Sequence, residues 1–383
     1  MPGELLTAIR RMASGGALFL VACSAAAPAM NEPIPSGSAG TSPTTAVATL
    51  LYVCNQNDAS VSVVDVATNQ LVRTIDLTKL GFSSNAKPHH VAVEPDGSHW
   101  YVTLIGDGKI VKLDRNDAVV GQAAFETPGM LALHPTEDLL YVGRSMTAVN
   151  PPQRIGVVRR STMAIEEIDI FFPRPHAMVL QPETGTVYTA SLGVNQMAAV
   201  DVETEEVKLT SVEGPQHALM QFAISPDGGT LVASGELSHQ VMFFTLADPM
   251  HPRRVASVDV EAQPFDPVYT PDGKWVYLGN KAANAITIVD AEKHAVAKVI
   301  RGDGIAQPHG TAVSPDGRYV YVSNNNLSDP SHAMHAGAQP AAQPAGSGGR
   351  GTVVVIDTRT QEIASVIQVG RNAAGIGLAV PAQ

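Results

Sequence analysis

Three of the twelve histidines in this 383-residue chain follow a proline, in Pro88-His89-His90, Pro175-His176 and Pro308-His309. Neutral imidazoles are borderline-soft ligands. Three of them suit copper or zinc, and a set that leaves one coordination position open is the catalytic version. A second group, Ser331-His332-Ala333-Met334-His335, places a thioether beside two imidazoles, a combination that favours Cu(I). Cys54 adds a thiol after a Tyr-Val pair. The expected metal ligands are therefore His89, His176, His309, His332, Met334, His335 and Cys54, for copper or else zinc, and no residue is assigned as catalytic.

Each group also has a plainer reading. A histidine after proline can cap the start of a strand and hydrogen-bond a backbone carbonyl. The 331–335 segment lies in the low-complexity stretch 325–350, which reads as an expanded, solvated hairpin. A lone cysteine is commonly a small buried hydrophobe. Arg144, Arg154 and Lys281 either hold an anion or serve solubility. Walker loops, nucleophile elbows and dinucleotide fingerprints are missing from the sequence. The net charge of -11 excludes a general nucleic-acid binder.

These residues must be held by a repeat. From residue 49 onward, one unit reads LYVCNQNDASVSVVDVATNQLVRTIDL and is followed by PHHVAVEPDG; a later one reads VYLGNKAANAITIVDAEKHAVAKVI and is followed by PHGTAVSPDG. Equivalent pairs recur near Tyr52, Tyr101, Tyr141, Tyr188, Val232, Tyr277 and Tyr321. Each of the seven units has four short alternating runs punctuated by Asp-Gly, Asn and Pro, with no helical period. Four strands at such a period specify a propeller blade. The expected fold is all-β: a seven-bladed β-propeller spanning 48–383. Its innermost strands begin near Pro88, Pro128, Pro175, Gln216, Pro264, Pro308 and Ala374. The last of these has no following strands, and 49–76 has no innermost strand before it, so pairing of N- and C-terminal strands should close the ring.

The units resemble the YVTN-repeat family of β-propellers through Tyr52-Val53 with Asn55, Tyr277-Leu278-Gly279-Asn280 with Ile288-Val289-Asp290, and Ser314-Pro315-Asp316-Gly317 with Tyr321-Val322-Ser323-Asn324. The resemblance implies binding or scaffolding, with no shared catalytic set. It is interrupted at His134-Pro135-Thr136, which lacks the Asp-Gly, and at Leu231-Val232. Pro88-His89-His90 faintly resembles the histidine pairs of nitrous-oxide reductase, and methanethiol oxidases are a second family of similar metal-binding propellers.

Aligned on the Pro-Asp-Gly turn, His89, His176 and His309 fall at one repeat position, where the other units have Gly129, Met220, Phe265 and Gly375. In an antiparallel blade this position lies on the same face as the hairpin between the second and third strands. Small neighbours leave room for three imidazoles above the central channel. His90 should alternate away and pack.

Residues 1–22 read as an export signal, with Arg10-Arg11 before a short apolar run. Leu20-Val21-Ala22-Cys23 resembles a lipobox, implying lipidation of Cys23 and an outer-membrane anchor facing the periplasm or the surface. Residues 23–47 should form a flexible tether. The expected molecule is a monomeric, lipid-anchored binding protein for a metal, a partner protein or a surface polymer, and not primarily an enzyme. The alternatives are a metal-dependent oxidoreductase and, third, a lactonase-like hydrolase.

Overall fold

The computed structural model describes residues 49–145, 153–327 and 349–379, all within a unit running from Ala48 to the C-terminus. Seven four-stranded antiparallel sheets stand in a ring. The innermost strands of blades 1 to 6 are Pro88–Val93, Pro128–Leu133, Pro175–Leu180, Leu219–Ile224, Val268–Tyr269 and Pro308–Val313; that of blade 7 is Ala373–Leu378. Neighbouring innermost strands touch all the way round. The seventh blade joins both ends of the propeller chain: Ala373–Leu378 pairs with Leu50–Asn55, which continues into Ser60–Asp65 and Gln70–Asp76. The expected fold and closure are both present.

Burial follows position in the blade. The second and third strands are covered on both faces by adjacent blades and are almost continuously apolar, as in Leu139–Arg144 and Ala285–Asp290. The outermost strands alternate, and Val72, Val120 and Val255 face solvent. The repeated tyrosines are buried between blades. The Tyr321 hydroxyl donates to Asn69 at 2.6 Å, tying blade 6 to blade 7. Asp65, Asp114, Asp201 and Asp290 close turns by accepting the backbone N–H two residues on.

Two backbone devices recur where the chain enters each innermost strand. First, the residue before the strand, or in blade 5 before the isolated Pro264–Asn280 bridge, is left-handed without being glycine: Lys87, Thr127, Arg174, Ala218, Gln263, Gln307 and Asn372 have φ between 46° and 57°. That conformation costs roughly 1–2 kcal/mol per residue. It turns each carbonyl to accept, respectively, the N–H of Ile105, Ser145, Leu192, Glu236, Lys281, Asn325 and Gln56 at 2.7–3.2 Å. Second, the register then slips. Pro88 pairs with Leu104 but Val91 with Val102, so His89 and His90 oppose the single residue Thr103. Blades 2, 4 and 6 bulge the same way, and blade 3 slips at His176. A bulge re-aims side chains, here towards the channel.

The residue opposite the bulge serves as a clamp. Thr103 Oγ1 accepts the His90 N–H at 3.0 Å and donates to the Gly129 carbonyl of the next blade at 2.9 Å. Ser323 Oγ accepts from Gly310 N at 2.9 Å and donates to the Ala374 carbonyl. Each hydroxyl thus fixes its own bulge to its neighbour.

Candidate functional site

The bulge places one residue per blade at the centre of one face. The register assigns His89, Gly129, His176, Met220, Phe265, His309 and Ala374 to this layer. Ala374 replaces the expected Gly375, because Ala373 pairs with Asn55 just as Pro88 pairs with Leu104. The sequence alignment was one residue out because the last blade has no Pro-Asp-Gly turn to anchor it. Gly375 instead matches His90; a side chain there would run into the His89 carbonyl of the next blade.

The three imidazoles converge. The His89 ring centroid lies 6.0 Å from that of His176 and 6.2 Å from that of His309, and all three residues are buried. His176 Nδ1 donates to the Met220 carbonyl at 2.8 Å, which leaves Nε2 as a lone pair. His89 Nδ1 accepts from the Gln56 amide at 3.1 Å, and Gln56 Oε1 is held by Asn372, so the neutral ring carries its proton on Nε2 and ligation through that nitrogen requires the other tautomer. The His309 ring is tilted by 55° against that of Phe265, with the centroids 4.9 Å apart. His89 Nε2, His176 Nε2 and His309 Nδ1 are buried without hydrogen-bond partners. Burial lowers all three ionisations: His176 to about 4, and His89 and His309 well below the ordinary imidazole value. Repulsion from neighbouring imidazoles and from Lys281 adds to the effect. The rings are therefore neutral at pH 7, the protonation state that binds metals.

Among the described residues, no three His, Cys, Asp or Glu side chains are arranged to hold a metal ion as they stand. Imidazoles sharing one ion at about 2 Å per nitrogen have centroids roughly 5 Å apart, so ligation requires the rings to draw in by about 1 Å.

A second layer sits four residues after each repeated Tyr or Val: Gln56, Ile105, Ser145, Leu192, Glu236, Lys281 and Asn325, each anchored by the left-handed carbonyls. It carries the site's charge. Lys281 lies over the Phe265 ring, 4.8 Å from its centroid, and interacts with Glu236 and Asp266. Desolvation brings Lys281 down to about 8 and lifts Glu236 and Asp266 to about 7 each. Leu192, Met220 and Phe265 form a small apolar wall. Gln56, Glu236 and Asp266 belong to no motif; the first two lie four residues on from a repeated Tyr or Val, the one sequence signal that marks them.

The other candidates do not join the cluster. Cys54 occupies the clamp position of its blade and is fully buried in an apolar core with Ala59, Val61 and Leu77, where desolvation pushes its thiol ionisation far up. It takes the place of Thr103 and Ser323 in the repeat, a packing role in place of the expected ligand role. His90 packs against blade 2, its Nδ1 accepting the Leu131 N–H at 3.2 Å. His217 is fully buried with Nε2 bonded to the Glu213 carbonyl at 3.1 Å. Arg144 is buried over Phe125 and bonded to the Glu126 carbonyl and Glu167, and Arg154 pairs with Asp169. His332, Met334, His335 and Cys23 lie outside the described residues. A cavity of about 460 Å³ between the Pro95-Asp96 and Pro135-Thr136 turns is lined by Arg160, which Glu94 and the Glu137 carbonyl already engage.

A family model described as a lactonase, 7-bladed beta-propeller, matches residues 151–332. No curated protein matches. Solved structures share the fold. A functionally unknown protein from Desulfotomaculum acetoxidans is 13% identical with a TM-score of 0.66, over 87% of this chain and 99% of that one. Dihydro-heme d1 dehydrogenase NirN, in complex with DHE, is 15% identical with a TM-score of 0.56, over 85% and 74%. Kuenenia stuttgartiensis hydrazine synthase is 21% identical with a TM-score of 0.58, over 77% and 90%.

Proposed function

We propose that this seven-bladed propeller is an exported, lipid-anchored protein that binds one transition-metal ion, copper ahead of zinc, at His89, His176 and His309. One observation carries the reading: the neutral imidazoles of blades 3 and 6 lie 6.0 and 6.2 Å from that of blade 1, centroid to centroid, and each of the three has a buried, unpartnered ring nitrogen. Leaving such groups unpaired costs about 1–3 kcal/mol each, so a site that retains three of them is built for a ligand. His176 has the form of a metal-ligating imidazole, with its other nitrogen donated to a backbone carbonyl. The anchor rests on Leu20-Val21-Ala22-Cys23, and the segment with His332, Met334 and His335 is a second copper-handling element of the same protein.

Elemental analysis of the purified protein tests the central claim. One equivalent of copper in the wild type, absent from the His89/His176/His309 triple alanine variant, is expected. Equal metal content in the two proteins would discard the site. Fractionation tests the anchor, since Cys23→Ser should move the protein from membranes to the soluble fraction.

A hydrolytic reading ranks second. It draws on the lactonase description of the matched family and on Glu236 and Asp266, whose ionisations near neutrality suit proton transfer. Lactone hydrolysis by metal-free protein, lost in Glu236→Gln, would raise it above metal binding.

A further inference from the structure

We infer that the histidine layer, free of metal, binds a small neutral alcohol whose hydroxyl bridges His89 and His176. No metal is needed, because the hydrogen-bonding polarity of the two rings as they stand defines the ligand. A carbonyl can only accept, so the His176 proton sits on Nδ1 and faces Met220, and Nε2 of the neutral ring is an acceptor. His89 has the opposite polarity. Its Nδ1 accepts from Gln56, whose Oε1 is held by Asn372, so its proton sits on Nε2. Both Nε2 atoms are buried without a hydrogen-bond partner. One donor and one acceptor are thus left unsatisfied on neighbouring rings. A hydroxyl satisfies both at once, accepting from His89 through an oxygen lone pair and donating its proton to His176. A ketone or an ether would leave His176 unpaired, and an ammonium would leave His89 unpaired.

The spacing fits. Ring nitrogens about 2.9 Å from a shared oxygen put each centroid about 4 Å from it, so two rings at near-tetrahedral angles lie roughly 6–6.5 Å apart. The His89 and His176 centroids are 6.0 Å apart, whereas an ion shared by both would draw them in to roughly 5 Å. His309, with its centroid 6.2 Å from that of His89, adds a further buried, unpartnered nitrogen at a similar spacing. The rest of the ligand is set by what lies beside the rings. Leu192, Met220 and Phe265 form an apolar wall, and Met220 and Phe265 share the imidazoles' layer in blades 4 and 5. One polar bridge beside an apolar wall suits a hydroxyl head on a short hydrocarbon body and gives no partner to an extended polar molecule.

Isopropanol and acetone, close in size, separate the two hydrogen bonds: both accept from His89, and only the alcohol donates to His176. In the chelator-treated full chain, nitrogen-15 NMR should show the His89 proton on Nε2, with a nuclear Overhauser contact to the isopropanol methine that saturates with concentration. Acetone should bind about 10-fold or more weakly, the loss expected when a buried acceptor is left unpaired. His176→Phe removes that acceptor and should erase the preference for the alcohol. Equal affinity of the wild type for the two compounds would overturn the inference. So would a His89 Nε2–H that contacts water alone and is unmoved by isopropanol. Metal is absent throughout, so neither result depends on the copper content of the untreated protein.

Discussion

His176 Nδ1 donates to the carbonyl of Met220, one blade further round the ring, at 2.8 Å. The bond fixes the tautomer, so the proton is on Nδ1 and the inward-facing Nε2 carries a lone pair. Burial keeps the ring neutral down to about pH 4. Nitrogen-15 NMR of the metal-free protein should show His176 as a single Nδ1–H tautomer with no titration between pH 7 and 5. A ring that titrates near 6.5 would mean the site is open to water.

Acid should destabilise the metal-free protein through the same groups. His90 and His176 ionise at about 4, and His89 and His309 well below 6.5, whereas all four approach 6.5 in the unfolded chain. Below pH 6.5 the unfolded chain therefore binds protons that the folded one refuses, and stability falls as pH drops towards 4. Glu236 and Asp266 act in the opposite sense. Raised to about 7, they contribute stability below pH 4 that is lost as pH rises through 7. Denaturant titrations at pH 4.5 and 6.5 should show a shallower pH dependence in the triple alanine variant than in wild type; an unchanged slope would refute this account.

Gly375→Ala should lower stability by about 1–3 kcal/mol, the usual cost of overpacking. The added methyl meets the His89 carbonyl, which is backbone and cannot swing aside. Because this displaces blade 1 where it carries an imidazole, copper affinity should fall as well, measured by competition with a chelator of known strength.

Cys54→Ser is expected to be mild. The hydroxyl takes a position where Thr103 and Ser323 already serve, so the melting temperature should move by no more than a few degrees and copper content should stay unchanged. Loss of one equivalent of copper would restore the thiol to the ligand set.

Ending the chain at Arg371 removes the whole of Ala373–Leu378 and the Asn372 bonds to Gln56 and Asn57. Blade 7 then exposes the edge of Leu50–Asn55, and blade 1 loses its neighbour. The truncated protein should show no cooperative thermal transition by circular dichroism, while a chain ending at Ala379 keeps it.

The blade count, the closure and the three histidines were legible because hydrophobic alternation and turn residues repeat with the chain. The site's charge was not. Glu236 and Asp266 carry no motif and become unusual only through burial, which depends on how seven blades meet. Cys54 looked chemical because of its residue type, but its role is set by the residue opposite it, across a bulge that pattern alone does not reveal. The one-residue error at Ala374 has the same origin, since bulges shift register without marking the sequence.

The left-handed residue ahead of each innermost strand has a wider consequence. The turn is made by backbone alone, with Lys, Thr, Arg, Ala, Gln and Asn all accepted there, and the side chain two places on is not needed to form it. Six blades therefore offer a socket that can hold a side chain on the same frame. Ala374, Met220 and Phe265 are sockets with other occupants, whereas Gly129 is closed, because a side chain there would run into the Arg144 backbone carbonyl. The fold holds its present chemistry as one setting of a six-position dial.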